Sequence, residues 1–556
     1  MMKTLFGLNK EKLILFFIFT FSFLLSNFIV LKSNNWFVFS SESEVAIFAK
    51  NLLETGSFKK KAFEIPDIDP LYFKPDAIGM EGGYYVPKVA YGTIVVASLG
   101  VIFGYQGIFI IFSFLGIIGA LYLYKLLVLD FERKYAMLGV FFYLFSFPFI
   151  FWNNYLYGNI IAFSFFIAGI YYIYKYVMKL GNLKSFIFGL VLLMFSVWVR
   201  NEYAVFVIIS SLVFFLKYSS VRKAKIIVLS GFIFIFAFLL PFLYLNNKVY
   251  GDPFSIGYTS QVKSTSTTIQ DKDAGAIEKI FDRFPLVRQP FRGLGVVKGT
   301  QWILNNYFLY SFRIAPAVNI TLCLLLVLFF ARIRKTLPGW MLALGATSVF
   351  LVYFEGSAYH WGWIHRSSIA FYSRYWIAVF AFLSCLSAVL FTLISGRIKK
   401  VLAVLLVTLH LTWSLYLSFD GYAAIQKAQI GKEDRYELYK YLREVNPDGI
   451  IVTDVLSKTF VDFKVLKPTN IEGFAYYKAM FEDVDLPKRD SYEKLGSVLN
   501  SVYEAGFEIY LVEWPDHKNT YFQIARNLKL VNEEINIQSI PYSSDLGVEI
   551  YQVSFE

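Results

Sequence analysis

The feature that most constrains this chain is a series of apolar stretches, with basic residues bunched between alternate pairs of them. A helix needs about 20 apolar residues to cross the hydrocarbon core of a bilayer. Such stretches lie near 13–31, 107–124, 135–151, 160–178, 185–199, 203–216, 226–245, 314–331, 337–354, 375–394 and 401–419. They predict a polytopic α-helical membrane protein of about eleven transmembrane helices. The composition agrees: 57% of the chain is hydrophobic and only 17% charged, where a soluble domain carries about 25% charged residues. A small soluble enzyme, a disordered tail and a disulfide scaffold are thereby excluded. The two cysteines, Cys323 and Cys385, both lie in apolar runs with no CxxC partner, so neither a disulfide framework nor a zinc site is read from them.

The net charge of +12 resembles a nucleic-acid signal until it is divided by position. From Asp420 onward there are 23 acidic and 15 basic residues, a net of −8, which leaves +20 on the first 419 residues. Six short segments concentrate that charge: Lys3/Lys10/Lys12, Lys125/Arg133/Lys134, Lys175/Lys179/Lys184, Lys217/Arg222/Lys223/Lys225, Arg332/Arg334/Lys335 and Arg397/Lys399/Lys400. They hold 19 basic residues against the acids Glu11, Asp130 and Glu132. By the positive-inside rule these segments and the N-terminus are cytoplasmic, and an odd number of spans sends the tail outside. Nucleic acid is excluded as a partner, and the bilayer takes its place. The stretch 89–103 would break this alternation if it crossed, so it is placed as a re-entrant or interfacial helix on the outer side. The first span lacks a small-residue cleavage site and is read as retained.

Two domains are expected: a transmembrane region over 1–419, with outer loops at 32–106, 246–313 and 355–374, and a soluble extracytoplasmic α/β domain over 420–556. The tail alternates charged helical stretches with apolar strands such as IIVTD, EIYLVEW and GVEIYQVSF, the pattern of helices layered on a sheet. It carries no GxGxxG or GxxxxGK[ST], so no nucleotide site is assigned.

Residues suited to chemistry gather in the expected outer loops. The first opens SSESEVAIFAKNLLETGSF, with Glu42 and Glu44 just past the first span. Val45, Phe48, Ala49 and Leu52 recur at helical spacing, so one reading is an amphipathic interfacial helix whose first-turn acids suit the helix dipole. The other is a catalytic carboxylate pair at the membrane lip. In WVRNEYAVF, Arg200 and Glu202 occupy a turn between short spans, where they either pair with each other or serve a site. His360, His365 and Arg366 stand among Tyr359, Trp361 and Trp363, and Arg374 with Tyr375 opens a late span. A buried arginine there requires a partner, and a lipid phosphate is one. An interfacial aromatic belt and a snorkelling arginine are the alternatives. His360 and His365 lack an acidic third ligand, so no metal and no other cofactor is assigned.

Several segments together resemble the GT-C fold glycosyltransferases, within them the superfamily of protein O-mannosyltransferases and lipid A aminoarabinose transferases. The acidic pair followed by an A-x-x-A-[KR]-N-L-L-E-x-G-like helix is similar to the family's first outer loop. VPKVAYGTIVVASLGVIFG resembles its "hyPPLy…G" segment, with Pro87 retained and Lys88 in place of the second proline. NNKVYGDPFSIGY and HRSSIAFYSRYWIAVFAFL, the latter through Arg374 and Tyr375, match further segments in order. The resemblance implies transfer of a sugar from a polyprenyl-phosphate carrier to an acceptor hydroxyl on the outer face, with inversion. It makes Glu42 the candidate base, with Glu44 as its substitute, since Ser41 stands where the family usually has Asp. It implies donor-phosphate binding by Arg374, Arg366 and Arg200, and substrate contacts from Asn159, His360, His365, Tyr375 and Glu202. Asn159 falls where members often carry an acid; a helix N-cap is its alternative role. The residue usage, with no cleaved signal, points to a prokaryotic cell membrane. A lipid-linked sugar transporter or flippase, and a catalytically inactive scaffold displaying the tail, are the rival readings. Against the transporter, ionisable residues avoid mid-span positions and no half of the chain is duplicated.

Overall fold

In a bilayer every backbone polar group must find a partner within its own segment, and helices satisfy that requirement strand by strand of sequence. Helices dominate the computed structural model of this chain. It describes residues 10–32, 40–75, 78–153, 155–218, 239–254, 301, 311–356, 373–419, 425–453, 460, 462–466, 468, 489–513, 524–532, 534–542 and 548–555. All of the expected spans except 226–245 fall wholly among these residues and coincide with helices, the one at 135–151 in two pieces. Of 226–245, only the end from 239 is described. Four described helices, Gly104–Asp130, Asn159–Val177, Arg374–Leu393 and Gly396–Ser418, are long and apolar enough to cross a membrane.

The residues divide into two units that interleave along the sequence. The first takes Met1–Ile29, Phe109–Phe242 and Ser266–Lys427 and is a bundle of apolar helices. Its centre is Ile377–Leu393, a helix apolar on all sides and buried over nearly its whole length, as such a composition requires. The Asn159–Val177 and Leu183–Val199 helices pack through glycine. A Cβ on Gly169 would lie 2.7 Å from Leu193 Cγ and 2.9 Å from the Gly189 carbonyl oxygen, the close backbone approach that small residues permit between membrane helices. The stretch 135–151 forms two helices, Arg133–Leu144 and Phe147–Trp152, because Pro148 has no N–H to continue the ladder and its ring opposes the Leu144 carbonyl. At one end of the bundle Asp130 ties three helices. Its Oδ1 accepts the Tyr174 hydroxyl and its Oδ2 accepts Trp340 Nε1, each at 2.8 Å.

The second unit takes Val30–Ile108, Leu243–Thr265 and Ala428–Glu556. The expected boundary at 420 falls beside one of its borders, but the unit also contains most of the first expected outer loop. That loop holds the Ser40–Thr55 helix and a small antiparallel sheet, β1 (Lys60–Lys61), β2 (Gly79–Glu81) and β3 (Tyr84–Val86), in the order β1-β3-β2. Gly82 and Gly83, at φ of 55° and 76°, make the two-residue turn between β2 and β3, where both positions favour residues that accept positive φ. The Tyr91–Val101 helix follows. With only 11 residues, it reaches about half the thickness of a hydrocarbon core.

The tail supplies a mixed five-stranded sheet: β4 (Ile450–Val452), β5 (Lys464–Leu466), β6 (Ile509–Glu513), β7 (Ile535–Ile540) and β8 (Glu549–Phe555), in the order β5-β4-β6-β8-β7. β5, β4 and β6 run parallel; β8 and β7 are antiparallel additions. The parallel strands are buried on both faces, which explains their unbroken apolar runs. One face, through Ile450, Val452 and Leu511, packs on the Arg489–Glu504 and Ile524–Val531 helices, together with Ile65, Ile68 and Phe73 from the first loop. The other, through Ile451 and Val512, packs on Leu438 and Leu442 of the Ile425–Val445 helix. The first loop is thus part of the core of the tail's domain.

Candidate functional site

The carboxylate pair belongs to the second unit. Glu42 and Glu44 lie in the first turns of the Ser40–Thr55 helix, 0% and 1% exposed. From Glu42 to Ala49 every residue of that helix is buried. An amphipathic helix resting on the interface would leave one face in solvent, so that reading is replaced by a helix enclosed on all sides over its first two turns.

The two carboxylates meet different surroundings. Glu44 Oε1 accepts the backbone N–H of Val89 at 2.9 Å and also that of Lys88. Burial lifts its carboxyl from an ordinary 4.5 to about 8, against the downward pull of those two donors. A proline at position 88 would have no N–H to give, so the departure of Lys88 from the family pattern supplies one of the donors that hold Glu44. Tyr250 extends the arrangement: its hydroxyl donates to the Pro87 carbonyl at 2.6 Å, and its ring stacks 6.2 Å from that of Tyr91. Three sequence segments read separately (the acidic helix, VPKVAYG and NNKVYGDP) therefore converge.

The charge of Glu42 acts on a cation from the tail. Arg435, on the Ile425–Val445 helix, is 7% exposed. Burial lowers its guanidinium to about 10, and the negative charge of Glu42 is what opposes that fall. Sequence reading passed over Arg435. The available signal was RYELYKYLR, which places Arg435, Tyr439 and Arg443 at four-residue intervals on one helix face. In the same unit, Asp462 Oδ1 accepts Lys50 Nζ and the Tyr105 hydroxyl, both at 2.7 Å, and its Oδ2 accepts the Tyr439 hydroxyl at 2.7 Å.

The cationic residues belong to the first unit. Arg374 lies on the short 3-10 turn Ser373–Trp376 that leads into Ile377–Leu393, and it is 7% exposed. Its guanidinium carbon is 4.0 Å from the Tyr157 ring centroid, 4.7 Å from that of Tyr375 and 5.7 Å from that of Trp152, and Nη2 donates to the Tyr375 hydroxyl at 2.9 Å. Aromatic faces hold a desolvated cation. Arg200 approaches the same Tyr375 ring at 5.7 Å while its Nε donates to Glu202 Oε1 at 2.6 Å. The Arg200–Glu202 pairing, one of the two alternatives left open by the sequence, therefore forms, and Tyr375 links it to Arg374. Asn159 opens its helix after Gly158, which holds the cap position, so the N-cap role falls away. Among the described residues, its buried Oδ1 has no hydrogen-bond partner. His360, His365 and Arg366 lie outside the described residues. Among the described residues, no three of His, Cys, Asp and Glu gather as a metal site would require.

Comparison with protein-family profiles and with curated proteins finds no match. Solved structures do match. ArnT from Cupriavidus metallidurans in the apo state aligns over 98% of this chain and 98% of its own, with a TM-score of 0.58 at 10% identity. This chain has the GT-C fold. The same ArnT bound to undecaprenyl phosphate gives a TM-score of 0.56 over the same shares, at 10% identity. The oligosaccharyltransferase of Archaeoglobus fulgidus, in its apo form, gives 0.52 at 9% identity, over 94% of this chain and 72% of its own. Sequence this dissimilar carries only the fold, and the fold is that of integral membrane proteins.

Proposed function

We propose that the chain is an integral-membrane glycosyltransferase that moves a sugar from a polyprenyl-phosphate carrier to an acceptor hydroxyl, with inversion, on the extracytoplasmic face of a prokaryotic cell membrane. The observation that carries this is the enclosed carboxylate helix with its two differently partnered acids, in a fold shared with ArnT. The bond between the anomeric carbon and the carrier phosphate breaks as the acceptor oxygen attacks from the opposite side. Glu42 takes the acceptor proton as general base, and the phosphate departs with the lipid. Arg374 and Arg200 balance the charge that develops on it, with Arg366 as a further donor-phosphate contact and His360 and His365 as substrate contacts. Glu44, held by two backbone donors, anchors the 87–89 segment. Asn159 and Tyr375, with Glu202 orienting Arg200, shape the sugar and phosphate surroundings. ArnT bound to undecaprenyl phosphate supports the choice of a polyprenyl-phosphate donor.

The test uses purified protein in lipid nanodiscs with labelled undecaprenyl-phosphate sugars and hydroxylated lipid, glycan and peptide acceptors. Glu42→Gln is expected to lower kcat by about 100-fold or more, and Arg374→Ala to raise the donor KM while leaving the acceptor KM close to that of the wild type. Full activity in Glu42→Gln would remove the base assignment. Movement of intact lipid-linked sugar across vesicles, without transfer, would favour the transporter.

A further inference from the structure

We propose that one end of the helix bundle carries a binding site for an anionic phospholipid, built from Lys125, Lys175 and a group of tyrosines; the proposal is independent of the transfer reaction. Lys175 stands in the last turn of Asn159–Val177 and Lys125 in the last two turns of Gly104–Asp130, the ends that loop charge assigns to the cytoplasm. A snorkelling lysine extends past its helix end to keep its ammonium in water. These two do the opposite. Each ammonium lies against the ring of a tyrosine one turn closer to the middle of its own helix. Lys125 Nζ is 4.6 Å from the Tyr122 ring centroid, and Lys175 Nζ is 6.0 Å from that of Tyr171. Lys125 Nζ also comes within 6.0 Å of the Tyr171 centroid, so the two cations share one ring across the helix pair.

Aromatic faces attract a cation without cancelling its charge. Among the described residues neither lysine takes part in an ion pair, so two positive charges remain to be met. The tyrosines add a donor. The Tyr122 and Tyr172 hydroxyls bond to each other at 2.9 Å; one of their two protons lies between the oxygens, and the other is left to donate. Two cations and a hydroxyl donor on one half-buried patch are complementary to a phosphate diester, whereas a zwitterionic headgroup would bring a like charge to it. The neighbouring surface indicates the rest of the ligand. The exposed Phe188 packs edge-on against Tyr172, with ring centroids 5.0 Å apart, and the exposed Ile187 and Val191 continue an apolar face on the same helix. An acyl chain would cover that face, and a free water-soluble anion would gain nothing from it.

The experiment uses the purified full chain in detergent micelles and reads bound lipid by native mass spectrometry during titration with phosphatidylglycerol, phosphatidylcholine or inorganic phosphate. The wild type is expected to retain phosphatidylglycerol in preference to phosphatidylcholine. The Lys125→Gln/Lys175→Gln double variant is expected to bind phosphatidylglycerol about tenfold more weakly, with Lys125→Arg/Lys175→Arg keeping most of the affinity. Lys400→Gln, at an exposed lysine of another basic segment, is the control that leaves the Kd unchanged. A second readout separates binding from a folding defect. In nanodiscs, exchange of phosphatidylcholine for phosphatidylglycerol is expected to raise the thermal midpoint of the wild type more than that of the double variant. Equal phosphatidylglycerol affinity in the wild type and the double variant, or equal retention of the two lipids, overturns the site. Displacement of the lipid by inorganic phosphate at equal concentration overturns the lipid in favour of a free anion. A dimer that dissociates in the double variant overturns it in favour of a second copy of the chain.

Discussion

At the residue scale, two carboxylates two positions apart have different fates, and the difference comes from partners distant in sequence. The pair itself was legible: acids just beyond a first span, ahead of a long loop. That Glu44 would be spent on the Lys88 and Val89 amides was not, because backbone donors have no signature in residue type. Nor was Arg435, which reads as one more charge on a solvated helix until the helix is found docked. The raised carboxyl of Glu44 has a thermodynamic consequence. Its folded-state value of about 8 exceeds the ordinary 4.5, so the folded chain binds the extra proton between those values. Stability then falls as pH rises through that window and is fullest below it. Glu44→Gln mimics the protonated form and keeps an acceptor for both amides. Thermal midpoints between pH 5 and 8 are expected to drop in the wild type and to stay flatter in Glu44→Gln; parallel slopes would refute the burial of an ionisable Glu44. Glu44→Ala, which strands two buried N–H groups, is expected to cost about 1–3 kcal/mol at every pH.

At the scale of elements, helices were legible wherever the apolar run was long, but the break at Pro148 was not read, since the apolar run 135–151 counts as one span in the sequence. The enclosed carboxylate helix was not, because amphipathic spacing describes one buried face and says nothing of what covers the other. Likewise Asp130, one of few acids in the basic loops, is spent on Tyr174 and Trp340 as a staple between helices. Helix pairing turns on features smaller than a side chain. Gly169 and Gly189 face each other so closely that a Cβ on the first meets the carbonyl oxygen of the second at 2.9 Å. Backbone cannot yield as a flexible side chain does. Gly169→Val is therefore expected to destabilise the bundle by about 1–3 kcal/mol, read as a lowered unfolding midpoint in detergent micelles. Ile187→Val, on the exposed face of the partner helix, is the control that leaves it in place. Equal midpoints for the two variants would mean that the helices are not held at the glycines.

At the scale of the whole molecule, the charge division carries the expectation of orientation, because loop charge sets orientation through local electrostatics and needs no tertiary contact. The membership of the second unit was beyond such reasoning, since Ile65, Ile68 and Phe73 join the core of a sheet built from residues after 450. That membership sharpens the topology argument: residues 60–73 and the tail share one core, so both belong to one side of the bilayer. By the positive-inside rule, the basic segments are expected to lie in the cytoplasm. Single cysteines decide this in a background where exposed Cys323 is replaced by serine and buried Cys385 is retained. In intact cells a membrane-impermeant maleimide is expected to label Glu504→Cys, on the exposed surface of the tail's domain. Lys184→Cys, in a basic segment, is expected to react only after permeabilisation. The reverse pattern would place the carboxylate helix in the cytoplasm and with it any transfer reaction that Glu42 serves, which no extracytoplasmic acceptor could reach.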